Sequence, residues 1–186
     1  RYDGMSIVSA AISPDGEQIA FSGMKHGQRD LYIASTDGSE PRRLTDDIHA
    51  YLHPSWSPDG TRIAVATDLG HPTDVANLDF RGYRLALVNP VTGTAELLTG
   101  GAYHDINPVW SPDGESLAFL SDRAGVPQIF LYDLGNRSIR KITNLVTGIS
   151  GITISSPAIS WSRETGRMAF SNYREMGWDI YTMEDP

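Results

Sequence analysis

The chain of 186 residues contains no cysteine. That absence excludes disulfides, thiolate metal sites and a cysteine nucleophile, and leaves the compartment open. No stretch approaches the roughly 20 consecutive apolar residues that a membrane helix needs. Basic residues are few: 15 Lys and Arg stand against 23 Asp and Glu, a formal net charge of −8. An acidic chain lacks the basic footprint that nucleic acid requires, and it is poorly suited to anionic lipid. The N-terminal segment RYDGMSIVSA has none of the regions of a signal peptide. Three catalytic signatures are missing too. GISGI at Gly148–Ile152 has the wrong register for a nucleophile elbow, and neither a phosphate-binding glycine loop nor a His-Glu-x-x-His pair occurs. Asn136-Arg137-Ser138 fits a glycosylation sequon, but its turn setting reads as coincidence.

What is present is a repeat. PSWSPDGTRIAVAT (Pro54–Thr67) returns as PVWSPDGESLAFLS (Pro108–Ser121). Ser-Pro-Asp-Gly occurs at Ser13–Gly16, Ser57–Gly60 and Ser111–Gly114, with a degenerate copy, WSRETG, at Trp161–Gly166. In all four copies an apolar triplet follows, its alanine seven residues after the motif serine. A second apolar run begins at Leu31, Leu85, Ile129 and Ile180, with a ten-residue insertion before it in the second copy. Leu44-Thr45, Leu98-Thr99 and Ile142-Thr143 close the first three units. Each unit reads as four short strands separated by turn residues, and no long amphipathic helix is indicated. The apolar runs are continuous rather than alternating, which predicts sheets covered on both faces.

These residues resemble the WD-like propeller repeats of the TolB family, whose unit runs Pro-x-Trp-Ser-Pro-Asp-Gly followed by an apolar strand. The first copy departs from that pattern with Ile12 in place of tryptophan. The fourth lacks Pro-Asp and carries two extra residues between Pro157 and Trp161. The resemblance implies an all-β propeller of four-stranded blades around a channel, usually about six to eight of them, and a bacterial envelope or secreted setting. One partial propeller domain is expected over 1–186. Its blades fall at about 5–45, 50–99 and 104–143, with a partial fourth at about 153–186. The spacing predicts fifteen strands, in sets of four, four, four and three, forming an open arc, with the remaining blades contributed by the parent protein.

Turn chemistry assigns Pro14-Asp15-Gly16, Pro58-Asp59-Gly60 and Pro112-Asp113-Gly114 to hairpins. Proline pre-sets the first central position, aspartate suits the second, and glycine takes the positive φ that follows. Trp56, Trp110 and Trp161 are read as blade-packing residues. Strand alternation puts the hairpins on one face and the inter-blade loops on the other. All five histidines, His26, His49, His53, His71 and His104, are expected on the loop face. Asp105, Asn107, Phe80, Tyr83, Arg123, Tyr173 and Arg174 are expected there as further candidates for ligand or partner contact. Asp46, Asp47, Asp68, Asp74, Asp79, Asp122 and Asn172 are their neighbours, and Ser155-Ser156 joins His53 and Asn107 near the channel mouth. His53, His104 and Asp105 are weak candidates for a divalent cation; no cofactor is otherwise implied. The long loop at 145–154 is apolar enough to suggest packing or partner contact.

Three functions follow. The first is a non-catalytic envelope scaffold that binds protein or ligand, its partner a protein or the remaining blades of the parent chain. The second is a substrate-gating propeller of a larger prolyl oligopeptidase-type or other envelope peptidase. The third is a metal-dependent lyase-like propeller.

Overall fold

The computed structural model describes residues 4–70, 82–151, 157–184 and 186. Among them, all regular structure is extended and no helix occurs, so none is long and apolar enough to cross a membrane. The first sheet holds β1 (Ser6–Ile12), β2 (Gln18–Lys25), β3 (Gln28–Ser35) and β4 (Arg42–Arg43). The second holds β5 (Tyr51–Trp56), β6 (Ile63–Thr67), β7 (Arg84–Val88) and β8 (Ala95–Leu97). The third holds β9 (Asp105–Trp110), β10 (Ser116–Ser121), β11 (Gln128–Asp133) and β12 (Ile139–Lys141). The fourth holds β13 (Ile159–Trp161), β14 (Met168–Arg174) and β15 (Gly177–Met183). Each sheet is an antiparallel meander in chain order. The innermost strands stand side by side, β1 by β5, β5 by β9 and β9 by β13. The described residues therefore build four blades of an open arc, not a closed ring.

The continuous apolar runs are explained by where the core sits. Leu31 and Ile33 of blade one pack on Tyr51, Trp56, Ile63 and Val65 of blade two. Leu85 and Leu87 of blade two pack on Trp110, Leu117 and Phe119 of blade three. Leu120, Ile129 and Leu131 of blade three pack on Ile159, Met168 and Phe170 of blade four, with Ile149 of the long loop buried beside them. Each blade is thus covered on both faces wherever it has two neighbours, as a core strand without alternation requires. Aromatic pairs cross β2–β3, β10–β11 and β14–β15 at one repeat position: Phe21–Tyr32, Phe119–Phe130 and Phe170–Tyr181, with centroids 5.5, 6.0 and 5.9 Å apart.

The Leu/Ile-Thr pair that closes each unit acquires a role. The Oγ1 of Thr45, Thr99 and Thr143 accepts the backbone N–H of Leu31, Leu85 and Ile129, at 3.0, 3.0 and 2.9 Å. These buried hydroxyls satisfy an amide that the short outer strand leaves unpaired. Tryptophan joins the blades. Trp56 Nε1 donates to the Ala11 carbonyl (3.2 Å) and Trp110 Nε1 to the Ser55 carbonyl (3.0 Å), each in the preceding blade. Trp161 differs, because its Nε1 donates to the Gly166 carbonyl of its own hairpin at 2.9 Å.

Candidate binding faces

On the hairpin face, three turns repeat one set of bonds. Gly16, Gly60 and Gly114 have φ of 76°, 70° and 74°, and their N–H groups donate to the carbonyls of Ser13, Ser57 and Ser111. The serine hydroxyl donates to Oδ1 of Asp15, Asp59 and Asp113 at 2.5, 2.6 and 2.5 Å. The same Oδ1 accepts the N–H of Glu17, Thr61 or Glu115. The seryl Oγ in turn accepts the N–H of Gln18, Arg62 or Ser116. Donors aimed at the charged form favour it. The Ser57 hydroxyl, then the two donors of Thr61, bring Asp59 down to about 2. Asp15 and Asp113 are lowered from the same causes, serine first. These carboxylates hold turns.

On the loop face, the junctions are knotted by aspartates. Asp47 accepts the His49 N–H (2.8 Å) and the Tyr51 hydroxyl (2.7 Å), and its carbonyl accepts Gln28 Nε2. Asp68 accepts the Ala50 N–H at 2.7 Å, and His49 Nδ1 lies 3.5 Å from it. One repeat later, Asp122 accepts the His104 N–H at 2.9 Å and sits 3.0 Å from its Nδ1. Burial works to raise Asp122, but the contacts from His104 outweigh it and the carboxyl is lowered. His26 sits exposed at the β2–β3 tip with φ 54°. Tyr83 is half-buried, its hydroxyl pushed up first by burial, and its carbonyl accepts the Asp105 N–H at 2.8 Å. Tyr173 meets Trp178 edge-on with centroids 5.3 Å apart, and Arg174 pairs with Glu175 at 2.8 Å.

Three expectations need correction. Asp105 does not lie on the loop. It is 0% exposed in β9 and both carboxylate oxygens accept Arg123 Nη2, at 2.7 and 2.8 Å. Arg123 is equally committed, since its guanidinium lies 5.0–5.4 Å from the ring centroids of Phe130, Phe119 and Tyr103. His53 and Asn107 lie inside β5 and β9, not on the loops before them. There the inner strand carries one extra residue. Leu52 and Ser55 pair with Ala66 and Ala64, and Ile106 and Val109 pair with Leu120 and Ala118. Pro54 and Pro108 fall in these bulges, where a missing N–H leaves no ladder bond unmade. His53 and Asn107 take φ of 51° and 53°. The His53 N–H donates to Ser9 Oγ at 3.2 Å, so Ser9, His53 and Asn107 occupy one position on three successive inner strands. Asn107 is 1% exposed, and its amide has no hydrogen-bond partner among the described residues. Among those residues no group of three or more His, Asp or Glu comes together to hold a metal ion. His71, Phe80, Asp74, Asp79, Ser155 and Ser156 lie outside the described residues.

The loop face has one further feature. Each inter-blade loop exposes an apolar side chain: Ile48 (71% exposed), Tyr103 (44%) and Val146 (96%). Met176 (90%) stands at the β14–β15 tip of the same face. Ile48 and Tyr103 are single apolar letters in polar loops, whereas Val146 belongs to the long loop already read as apolar.

The profile of the lipoprotein LpqB beta-propeller domain matches residues 2–165. The chain is 28% identical to the protein TolB homolog of Chlorobium luteolum, over 74% of this chain and 39% of that protein. It is 33% identical to the uncharacterized peptidase YuxL of Bacillus subtilis, over 59% of this chain and 21% of that protein. The chain thus spans under half the length of these curated relatives. The crystal structure of TolB from Acinetobacter baumannii superposes with a TM-score of 0.75 at 20% identity, covering 96% of this chain and 41% of that one, a likeness of fold. With its repeats, its four blades and a profile match over most of its length, the chain belongs to the LpqB β-propeller domain family.

Proposed function

We propose that this chain is a non-catalytic β-propeller scaffold of the bacterial cell envelope that binds a protein partner through its loop face. The observation that carries this reading is the set of exposed apolar side chains, Ile48, Tyr103, Val146 and Met176, one from each inter-blade loop and one from the last hairpin. Apolar side chains presented on one face of a rigid scaffold favour a partner that takes them out of water. The relatives' names, a lipoprotein domain and TolB, support the envelope setting. The lyase-like reading has no such support, because His53, His104 and Asp105 do not converge. The likeness to peptidase YuxL favours a second reading, a propeller that gates substrate for a hydrolase in the parent protein.

The test is chemical cross-linking of the chain in an envelope extract, beside an Ile48→Asp, Tyr103→Asp, Val146→Asp variant. A specific partner caught by the wild type and lost by the variant, at equal thermal stability, is the expected result. Equal capture by both proteins overturns the loop-face reading. Hydrolysis of peptide esters by the intact parent protein, lost when its nucleophile is replaced, supports the second.

A further inference from the structure

On the hairpin face, the three blade junctions repeat one construction, and one position in it differs at each: Gln18, Arg62 and Ser116. The tryptophan ending each inner strand stands across the junction from the residue five positions after the motif serine of the preceding blade, lining one crevice with it at the first and third junctions and stacked on it at the second. At the first junction Trp56 and Gln18 line one crevice, together with Asp15. At the second, the Arg62 guanidinium lies over the Trp110 ring, 5.0 Å from its centroid. Asp59, held first by Ser57 and Thr61, also feels the charge of Arg62. Carboxylate, guanidinium and indole thus form one set there.

At the third junction the arginine position is Ser116. Asp113, Ser116 and Trp161 line a crevice of about 430 Å³ between blades three and four. Serine is too short to cover an indole. Trp161 has also turned its N–H to its own hairpin, and it stays partly exposed where Trp56 and Trp110 are each 4% exposed. Asp113 makes its turn bonds through Oδ1 alone. Arg140 lines the same crevice, its Nη2 donating to the Pro186 carbonyl at 3.0 Å. The Arg140 charge opposes a bare cation and favours one that brings an acceptor with it. A planar guanidinium suits both an aromatic face and a carboxylate.

We propose that this crevice binds an arginine residue of a peptide. Its guanidinium stacks on Trp161 and pairs with Asp113, in the place that Arg62 takes at the second junction, and its carbonyl lies toward Arg140. The site is on the face opposite the loops, so its failure leaves the loop-face reading standing.

The probe is N-acetyl-arginine amide, titrated calorimetrically into the intact chain, with N-acetyl-citrulline amide as the uncharged isostere. A saturable heat in the millimolar range is expected, at least about tenfold weaker for citrulline. Ser116→Arg supplies the guanidinium in cis, as blade two does. It should abolish binding without lowering the thermal midpoint. Trp161→Leu should weaken binding by at least about tenfold. No saturable heat up to roughly 50 mM, equal binding of citrulline, or unchanged binding by Ser116→Arg overturns the proposal. The Trp161 indole N–H resonance gives an independent readout: it should shift with arginine in the wild type and not in Ser116→Arg.

Discussion

Asp15, Asp59 and Asp113 use their carboxylates on their own hairpins, and this has a pH consequence. Hydroxyl and amide donors bond the charged form, so the folded pKa lies below the unfolded one, for Asp59 at about 2 against 3.8. A lowered folded pKa contributes stability that is complete above the unfolded value and is lost as pH falls through the folded value. Urea unfolding followed by far-UV circular dichroism should show its midpoint dropping between about pH 4 and pH 2, and Asp59→Asn should flatten part of that slope. A midpoint constant across the window would contradict this role. Asp105 is the opposite case, a fully buried carboxylate with Arg123 bonded to both of its oxygens. Removing one partner leaves a buried charge unpaired. Arg123→Met should therefore cost about 3–5 kcal/mol in chemical denaturation, and Asp105→Asn with Arg123→Met should recover part of it. Additive single losses would refute the coupling. The turn role of the first three aspartates was legible in Ser-Pro-Asp-Gly, because turn chemistry is local. The role of Asp105 was not, because its partner stands 18 residues away and the aromatic rings around that partner come from three separate segments.

The inner strands show how an element can depart from its ideal form for a reason. Their bulges place His53 and Asn107 at positive φ next to proline. Asparagine tolerates this region, glycine does so freely, and a β-branched residue does not. Asn107→Gly should change stability by less than about 1 kcal/mol, since it also removes a buried amide with no partner among the described residues. Asn107→Val should cost about 1–3 kcal/mol. Equal effects of the two in thermal unfolding would mean that φ does not govern the position. The sequence carried a proline two residues before Trp56 and Trp110, but the bulge itself is a property of pairing. It takes the register of the second strand to show that Leu52 and Ser55 face residues only two apart. Tryptophan gives a parallel lesson. Its packing role was readable from the repeat, while the bond from the Trp161 N–H to its own hairpin, instead of to the preceding blade, was visible only in the structure.

At the scale of the molecule, the fourth blade presents an exposed apolar face among the described residues. Leu31, Leu85 and Ile129 are each 0% exposed beneath the next blade, whereas Ile180, at the same repeat position, is 81% exposed. Trp178 and Tyr173 extend this apolar face, and β15 is the last strand of its sheet among the described residues. Burying one such isoleucine is worth about 1.5–3 kcal/mol, so the face favours association. Trp178→Glu with Ile180→Glu should lower self-association of the isolated chain, read as a smaller weight-average sedimentation coefficient at high concentration. If the wild type is monodisperse and indistinguishable from the variant, the exposed face does not govern solution behaviour.

The sequence by itself determined the blade: four short strands, a hairpin of fixed chemistry, and the fifteen strands found among the described residues. Those properties rest on local turn geometry and on apolar runs that recur at fixed spacing. Only the tertiary structure decided which polar side chains remain available. Contacts across strands and blades committed Asp105 and Arg123 to one another, drew His53 and Asn107 into bulged strands, and set Trp161 beside Ser116 instead of an arginine. Such pairings depend on register and on the neighbouring blade, which no single repeat contains.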